Sequence, residues 1–382
     1  MLYRSYARGG EKISEIGFGG EHLEGRPEKE VIPVVERVIQ SGINIIDVFM
    51  SNPEVRTYIG KALGSLRKNV YIQGHLCSVW SDGQYKRSRD IDEVKRAFDD
   101  LLTRLKTDYI DIGMLHFIDS DKDFDDTFSS GCCEYAEDLK RQGVIKRIGF
   151  SSHNPIVSQR LVETGLFDIF MFSINPGFDM DHLSGDNVDA LFEFGGFKGG
   201  EVLTDPLREK LYRYSEANGI GITVMKTLCA GRLLDAASSP FNTAMSVAQC
   251  MKYALDRPGV VSTLMGCRTV AEVDEVMKYY SLSESEKDYS AIISGANVDM
   301  RGKCMYCNHC LPCASNIDIA AVNKFLDLAA IHEVIPATVK AHYASLSAHA
   351  SDCVGCGMCE ANCPFGVAIC ERMEQAAKLF GK

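Results

Sequence analysis

Long apolar runs are absent from this sequence, and their absence excludes several classes of protein. No stretch approaches the ~18 apolar residues that a membrane-spanning helix requires. The first ten residues, MLYRSYARGG, also lack the apolar core of a secretion signal. We therefore expect a cytoplasmic protein that has no membrane as its partner.

Positive charge is scarce as well. The 382 residues include 41 lysines and arginines against 52 aspartates and glutamates, which gives a net charge of −11. An acidic surface repels the phosphates of nucleic acid and of anionic membranes, so neither is an expected partner. With 46% hydrophobic and 24% charged residues, the composition is that of an ordinary globular enzyme.

Eight apolar, strand-like segments alternate with helical patterns along most of the chain. The strands cover residues 13–20, 43–48, 69–76, 109–116, 145–152, 169–175, 221–228 and 260–267. Helical spacing of apolar residues is found at 30–42, 90–105, 134–143, 206–219 and 244–259. Eight such βα units predict a (β/α)8 TIM barrel. A doubly wound open sheet is less favoured, because no glycine-rich fingerprint follows the first strand.

Two further features interrupt or follow this repeat. A long connection, residues 176–205, includes GGFKGG and is predicted to be either a lid over the barrel mouth or a disordered excursion. A helix is predicted at 283–296, ahead of a cysteine-rich end. We therefore predict two domains, a barrel at 1–290 and a small α-rich domain at 291–382.

Cysteine is plentiful, and eight of the fifteen residues lie in two short runs. The first run, CMYCNHCLPC, supplies Cys304, Cys307, Cys310 and Cys313. The second, CVGCGMCEANCP, supplies Cys353, Cys356, Cys359 and Cys363. Its spacing is that of bacterial two-cluster ferredoxins, in which three thiolates of one run and the last thiolate of the other hold each cluster.

By that logic two [4Fe–4S] clusters are expected. One would be held by Cys304, Cys307, Cys310 and Cys363, and the other by Cys353, Cys356, Cys359 and Cys313. A pair of zinc sites is the alternative, since CxxC pairs also bind zinc. Two runs of four cysteines fit iron–sulfur clusters better.

Several motifs resemble those of the aldo-keto reductase family, in the branch with a C-terminal ferredoxin-like domain that binds two [4Fe–4S] clusters. They are SEIGFGG (14–20), RLKTDYIDIGMLH (104–116), GVIKRIGFSSHNP (143–155), MKTLCAGRLL (225–234), LMGCRT (264–269), the segment 42–63 and both cysteine runs. The resemblance implies a (β/α)8 barrel whose site lies at the carboxyl ends of the strands. It also implies carbonyl reduction by NADPH through an Asp–Tyr–Lys–His tetrad, in which the tyrosine donates the proton.

Only two members of that tetrad are kept. Asp47 and His116 stand in place, but Asn52 occupies the tyrosine position and His75 the lysine position. Histidine titrates near ~6.5, so His75 could serve as the acid if Asp47 lies beside it, while His116 orients the substrate or donates instead. Alternatively, these two histidines and one carboxylate form a metal-binding triad.

The cofactor residues match the family only in part. The resemblance places Ser151, Ser152 and Asn175 beside a nicotinamide, but Glu272 falls where NADPH relatives clamp the 2′-phosphate, which a carboxylate repels. The loops after the seventh and eighth strands are instead predicted to bind the single phosphate of FMN, or else to carry ordinary surface arginines. Their residues are Ala230, Gly231, Arg232, Gly266, Cys267 and Arg268.

Electron counting supports a flavin. A cluster passes one electron at a time and a nicotinamide passes two together, whereas a flavin does both. We therefore favour FMN over NADP(H), in an anaerobic-type oxidoreductase that receives electrons from a ferredoxin or flavodoxin and reduces a small organic substrate. The alternatives are an NAD(P)H-dependent aldo-keto reductase with an altered tetrad and a catalytically silent electron-carrier subunit.

Overall fold

The computed structural model describes residues 1–6, 10–180, 204–294, 302–304, 306, 308–330, 334–363 and 365–382. The chain divides into two compact units, Met1–Val298 and Asp299–Lys382. None of the helices within the described ranges combines the length and apolar character that a membrane crossing requires.

The described residues of the first unit form twelve strands. In chain order they are β1 (Tyr3–Tyr6), β2 (Glu11–Ser14), β3 (Ile16–Gly19), β4 (Ile45–Val48), β5 (Tyr71–Leu76), β6 (Ser78–Ser81), β7 (Gln84–Arg87), β8 (Ile110–Leu115), β9 (Ile145–Ser152), β10 (Ile169–Ser173), β11 (Gly221–Met225) and β12 (Val260–Met265). β1–β2 and β6–β7 are antiparallel pairs, and the other eight strands form a closed parallel barrel. The predicted (β/α)8 barrel is confirmed.

Helices follow the barrel strands. They are α1 (Glu28–Gln40), α2 (Pro53–Leu63), α3 (Ile91–Leu105), α4 (Asp121–Ser129), α5 (Cys132–Arg141), α6 (Pro155–Glu163), α7 (Pro176–Asp179), α8 (Pro206–Ala217), α9 (Val247–Leu255) and α10 (Val270–Met277). α3 shows why they form: Asp90 caps its first N–H groups, and its buried residues, Val94, Phe98, Leu101 and Leu105, recur at helical spacing along one face.

The predicted helix at 283–296 is wrong in extent. The described part of that segment forms two short helices, α11 (Glu284–Lys287) and α12 (Ser290–Ile293). Between them Asp288 is extended, at φ −66° and ψ 123°, and its carboxylate accepts the Ser290 N–H at 2.9 Å. This local bond from the backbone to a side chain lies at a break where the sequence pattern predicted one continuous helix.

The long connection after β10 is described only at its ends. It begins as α7, and the Asp205 N–H donates to the Asp179 carbonyl at 2.6 Å where the chain returns. Residues 181–203, which include GGFKGG and carry the prediction of a lid, lie outside the described residues.

The second unit has a small helical core. Its helices are α13 (Ile319–Ala330), α14 (Ala337–Ala344), α15 (Met358–Ala361) and α16 (Ile369–Phe380). Tyr343 stacks on Phe380 with ring centroids 4.1 Å apart, and Cys310 and Cys359 are buried in the same core. A core this small usually needs covalent or metal staples, and the cysteines are placed to provide them.

Candidate active site and iron–sulfur region

Three side chains that the sequence singled out meet at one end of the barrel. Asp47 lies on β4, His75 near the end of β5, and His116 directly after β8. Because the strands are parallel neighbours, their carboxyl ends share one mouth. His75 Nε2 lies 2.9 Å from Asp47 Oδ1, and His75 Nδ1 lies 2.9 Å from His116 Nδ1.

Gln73 holds Asp47, the carboxylate end of this row of hydrogen-bonded side chains. Gln73 precedes His75 by two residues on β5 and therefore faces the same side of the strand. Its Nε2 donates to Asp47 Oδ1 at 2.6 Å, and its Oε1 accepts the Thr223 hydroxyl at 3.1 Å. Gln73 Nε2 and His75 Nε2 thus both lie against one oxygen of Asp47, which fixes the orientation of its side chain.

A tyrosine that sequence reasoning missed completes the chain. The Tyr85 hydroxyl lies 2.7 Å from His116 Nε2, and the residue comes from β7, in the hairpin that follows β5. The available signal was Asp82–Gly83, a two-residue turn with positive φ at both positions, 52° and 78°. We call the four side chains Asp47, His75, His116 and Tyr85 the relay.

Two asparagines at predicted cofactor or tetrad positions cap helices. Asn52 stands at the family's tyrosine position, and its Oδ1 accepts the N–H groups of Glu54 and Val55 at 2.9 and 3.2 Å. Asn175 accepts the Phe178 N–H at 3.0 Å, and its own amide donates to the loop after β11 at 2.9 Å. Both side chains therefore hold the entry of a helix at the barrel mouth.

The two predicted serines on β9 face different surroundings. Ser151 accepts the Phe117 N–H on its hydroxyl at 2.8 Å and lies 3.5 Å from His116 Nδ1, beside the relay. The Ser152 hydroxyl donates instead to Asp119 Oδ1 at 2.8 Å. Of this pair, only Ser151 lies within hydrogen-bonding distance of His116 in the described structure.

The loop after β11 turns sharply but uses its backbone donors internally. Ala230 and Gly231 have left-handed conformations, with φ of 56° and 87°. The N–H groups of Cys229 and Gly231 each donate to the carbonyl three residues earlier, at 2.8 and 2.9 Å. Arg232 follows and is half-buried. A phosphate at this loop would meet few open backbone N–H groups.

The loop after β12 already holds an anionic group. The Arg268 N–H donates to Glu272 Oε2 at 2.6 Å, while the Arg268 side chain is exposed. Gly266 approaches His22 so closely that a Cβ would lie 3.1 Å from the ring, and burial raises the pKa of Cys267 to about 12. A phosphate at these loops would therefore depend on arginine side chains rather than on a backbone cradle.

Acidification should destabilise the barrel through His116. Burial first, and His75 next, lower the pKa of His116 well below its ordinary value. The unfolded chain then takes up a proton near pH ~6.5 that the folded barrel does not, so stability falls as the pH drops below that value. For one proton the slope approaches ~1.4 kcal/mol per pH unit.

Urea unfolding between about pH 7.5 and about pH 5.5 measures this slope. Fluorescence of Trp80, the single tryptophan, reports on the barrel because it lies in β6. The His116→Asn variant should have a lower free energy of unfolding at high pH and a shallower slope below pH ~6.5. An unchanged slope would show that His116 is not the group responsible.

Five cysteines of the second unit line one cavity. Four of them are the predicted ligands of one cluster, so the chain brings Cys313 to the second run across forty residues of sequence. Cys370, which lies outside both cysteine runs, is hydrogen-bonded to Cys359. The five residues are Cys313, Cys353, Cys356, Cys359 and Cys370.

The other predicted set is described in part, because Cys307 lies outside the described residues. The Gly302 N–H donates to the Phe365 carbonyl at 2.9 Å, which joins the start of the first run to the end of the second. The Tyr306 N–H lies 3.4 Å from the Cys304 sulfur, the kind of donor that a thiolate ligand accepts. Over the described ranges, no three His, Cys, Asp or Glu side chains are arranged around a single metal ion.

Comparisons with known proteins agree with both units. The Aldo/keto reductase family matches residues 15–177, and a 4Fe-4S dicluster domain matches residues 303–368. An uncharacterized oxidoreductase of Bacillus subtilis, YqkF, is 25% identical over 272 residues, which cover 69% of this chain and 86% of that protein.

Solved structures share the fold. Aldo-keto reductase AKR11C1 from Bacillus halodurans, in its holo form, has a TM-score of 0.60 at 20% identity and covers 78% of this chain and 98% of its own. An aldo/keto reductase from Klebsiella pneumoniae, in complex with NADP and acetate, has a TM-score of 0.50 at 18% identity, with coverage of 74% and 93%. The chain therefore joins a (β/α)8 barrel that matches the Aldo/keto reductase family over residues 15–177 to a C-terminal region that matches a 4Fe-4S dicluster domain.

Proposed function

We propose that the barrel reduces a small carbonyl-type substrate, with electrons entering through two [4Fe–4S] clusters and protons supplied by Asp47, His75 and His116. The observation that carries the proposal is the buried hydrogen-bonded chain of these residues at the barrel mouth. Each step of that chain is 2.9 Å, the distance over which a proton passes between ring nitrogens and a carboxylate.

We further propose the ligand sets of the two clusters. Cys353, Cys356, Cys359 and Cys313 would hold one cluster, supported by the cavity that all four line. Cys304, Cys307, Cys310 and Cys363 would hold the other, supported by the backbone bond from Gly302 to Phe365. The clusters supply one-electron transfer, and a ferredoxin or flavodoxin is the class of donor that matches it.

FMN is the barrel cofactor we favour. A flavin accepts single electrons and delivers them in pairs, which the clusters and a carbonyl substrate respectively require. Arg232 and Arg268 are the cationic side chains of the loops after β11 and β12 that would pair with its phosphate. Glu272, bonded to the Arg268 N–H, disfavours the 2′-phosphate of NADP(H), although the Klebsiella pneumoniae relative was solved with NADP.

Anaerobic purification followed by visible absorption tests this assignment. We expect flavin bands above the broad absorption of the clusters, and FMN in the supernatant after denaturation. The protein should then oxidise methyl viologen, pre-reduced with dithionite, when DL-glyceraldehyde is added as a small carbonyl probe. Clusters without flavin, together with tight NADPH binding, would instead favour the nicotinamide-dependent alternative, and no carbonyl reduction with either donor would favour the electron-carrier alternative.

A further inference from the structure

We infer that Tyr85 is the catalytic acid of the barrel, donating its phenolic proton to the oxygen of the carbonyl substrate. This inference rests on the proposed reduction and names the residue that replaces the tyrosine missing at position 52. In the family pattern that tyrosine follows the strand-two aspartate, whereas Tyr85 arrives from a different loop and contacts the relay through His116.

The hairpin that carries Tyr85 is fixed over the barrel mouth by contacts at both strands. The Ser78 hydroxyl donates to the Phe49 carbonyl at 2.6 Å, and the Ser51 hydroxyl donates to the Val79 carbonyl at 2.9 Å. Arg87 lies over the Phe117 ring at 4.0 Å. A rigid hairpin holds the phenol at a set position, as an acid that acts on a bound substrate requires.

Donor and acceptor roles along the relay follow from the carboxylate. Asp47 only accepts, so His75 Nε2 carries a proton, and in the neutral relay His75 Nδ1 accepts from His116 Nδ1–H. His116 Nε2 is then an acceptor and takes the hydrogen bond of the Tyr85 hydroxyl. One extra proton reverses the direction of the hydrogen bonds between His75, His116 and Tyr85. His75 becomes an imidazolium beside Asp47, and His116 Nε2–H donates to the Tyr85 oxygen.

The protonated relay releases the phenolic proton for chemistry. A bound reduced cofactor would provide the hydride, two electrons and one proton, that the carbonyl carbon gains. The carbonyl oxygen would take the Tyr85 proton, so that the C=O π bond is replaced by C–H and O–H bonds. The Tyr85 oxygen regains a proton from His116 Nε2, and His116 Nδ1 regains one from His75 Nδ1. The relay has then lost one proton and is again in the neutral arrangement.

The exposed fractions of the side chains place Tyr85 at the solvent-facing end of the relay. The tyrosine keeps 7% of its surface exposed, whereas His75 and His116 keep 1% each. His116 is also held neutral by its burial, with its pKa well below the ordinary value, which suits a group that passes protons without storing one. The stored proton is assigned to His75 by geometry, because its Nε2 lies 2.9 Å from Asp47 Oδ1.

The test compares Tyr85→Phe with Tyr71→Phe in the full-length protein with both clusters and cofactor, using DL-glyceraldehyde as the probe. Tyr71 starts β5 at the opposite end of the barrel and serves as the matched control. Tyr85→Phe should lower kcat and kcat/KM together by about 10²–10⁴-fold, because general acids act in the transition state. Wild-type kcat/KM should fall as the pH rises and the relay loses its extra proton, whereas the residual activity of Tyr85→Phe should not.

A double variant separates proton transfer from hairpin packing. Because Tyr85 and His75 act in one chain, Tyr85→Phe/His75→Asn should be no slower than the slower single variant. Losses that multiply would overturn the proposal, as would a Tyr85→Phe enzyme with wild-type turnover and pH profile while the wild type reduces the probe. If the wild type itself reduces no carbonyl, the proposed function fails and Tyr85 fails with it.

Discussion

Replacing Cys313 with alanine should produce the same iron–sulfur defect as replacing Cys353. Both thiols line one cavity although they come from different runs, so both variants should lose the same cluster. Iron should fall from about eight to about four atoms per chain in each variant, and the reduced proteins should give superimposable EPR spectra. Cys363→Ala should lower iron equally but leave the other cluster and therefore a different spectrum.

Cys370→Ala is the matched control for this experiment. Cys370 lines the same cavity and is hydrogen-bonded to Cys359, yet it lies outside both cysteine runs. The variant should keep about eight irons and both spectral components. If Cys370→Ala loses a cluster and Cys313→Ala does not, the ligand set is Cys353, Cys356, Cys359 and Cys370, and the crossover assignment is wrong.

The barrel could be predicted because its strands are buried on both faces. Every residue of β8 is buried, and such strands form continuous apolar runs that stand out from the helices between them. The helix predicted at 283–296 is broken, and apolar spacing does not reveal a break of this kind. Asp288 is extended in the middle of the segment, and its carboxylate accepts the Ser290 N–H. Periodicity thus identified the elements better than it identified their ends.

Only the relay residues at the ends of barrel strands could be predicted from the sequence. Asp47, His75 and His116 follow parallel strands, so their convergence depends on topology alone. Tyr85 lies in a hairpin whose turn is encoded by Asp82–Gly83, but no local pattern states which loops that hairpin packs against. Its position depends on contacts with Phe49 and Phe117, which come from distant parts of the chain.

Asn52 shows the converse case, in which a sequence departure has a local explanation. The loss of the family's tyrosine leaves a helix entry to be stabilised, and asparagine accepts two N–H groups there. The position therefore serves the start of α2, while the phenol is provided by the hairpin after β5. A missing residue in a motif is thus compatible with the proton path that we propose.

The second large effect concerns stability, and we expect it from Asp179→Ala. Asp179 is fully buried at the end of α7 and accepts hydrogen bonds from Arg208 Nε at 2.7 Å, Tyr212 at 2.7 Å and Tyr253 at 3.0 Å. Removing the carboxylate leaves the Arg208 charge buried without its partner, which costs about 3–5 kcal/mol. Urea unfolding followed by Trp80 fluorescence measures the loss.

The ion pair between Asp179 and Arg208 also joins the two described ends of the long connection after β10. We therefore expect the loss of stability to be specific to this site. Asp179 precedes residues 181–203, and Arg208 on α8 follows them, so one ion pair joins the two ends of the excursion. Glu275→Ala, which removes an exposed pair with Lys278, should change stability by less than about 1 kcal/mol. Asp179→Asn, which keeps the shape but not the charge, should lie between the two. Equal stabilities for Asp179→Ala and Glu275→Ala would mean that the Arg208 charge does not stay buried and unpaired once the carboxylate is removed.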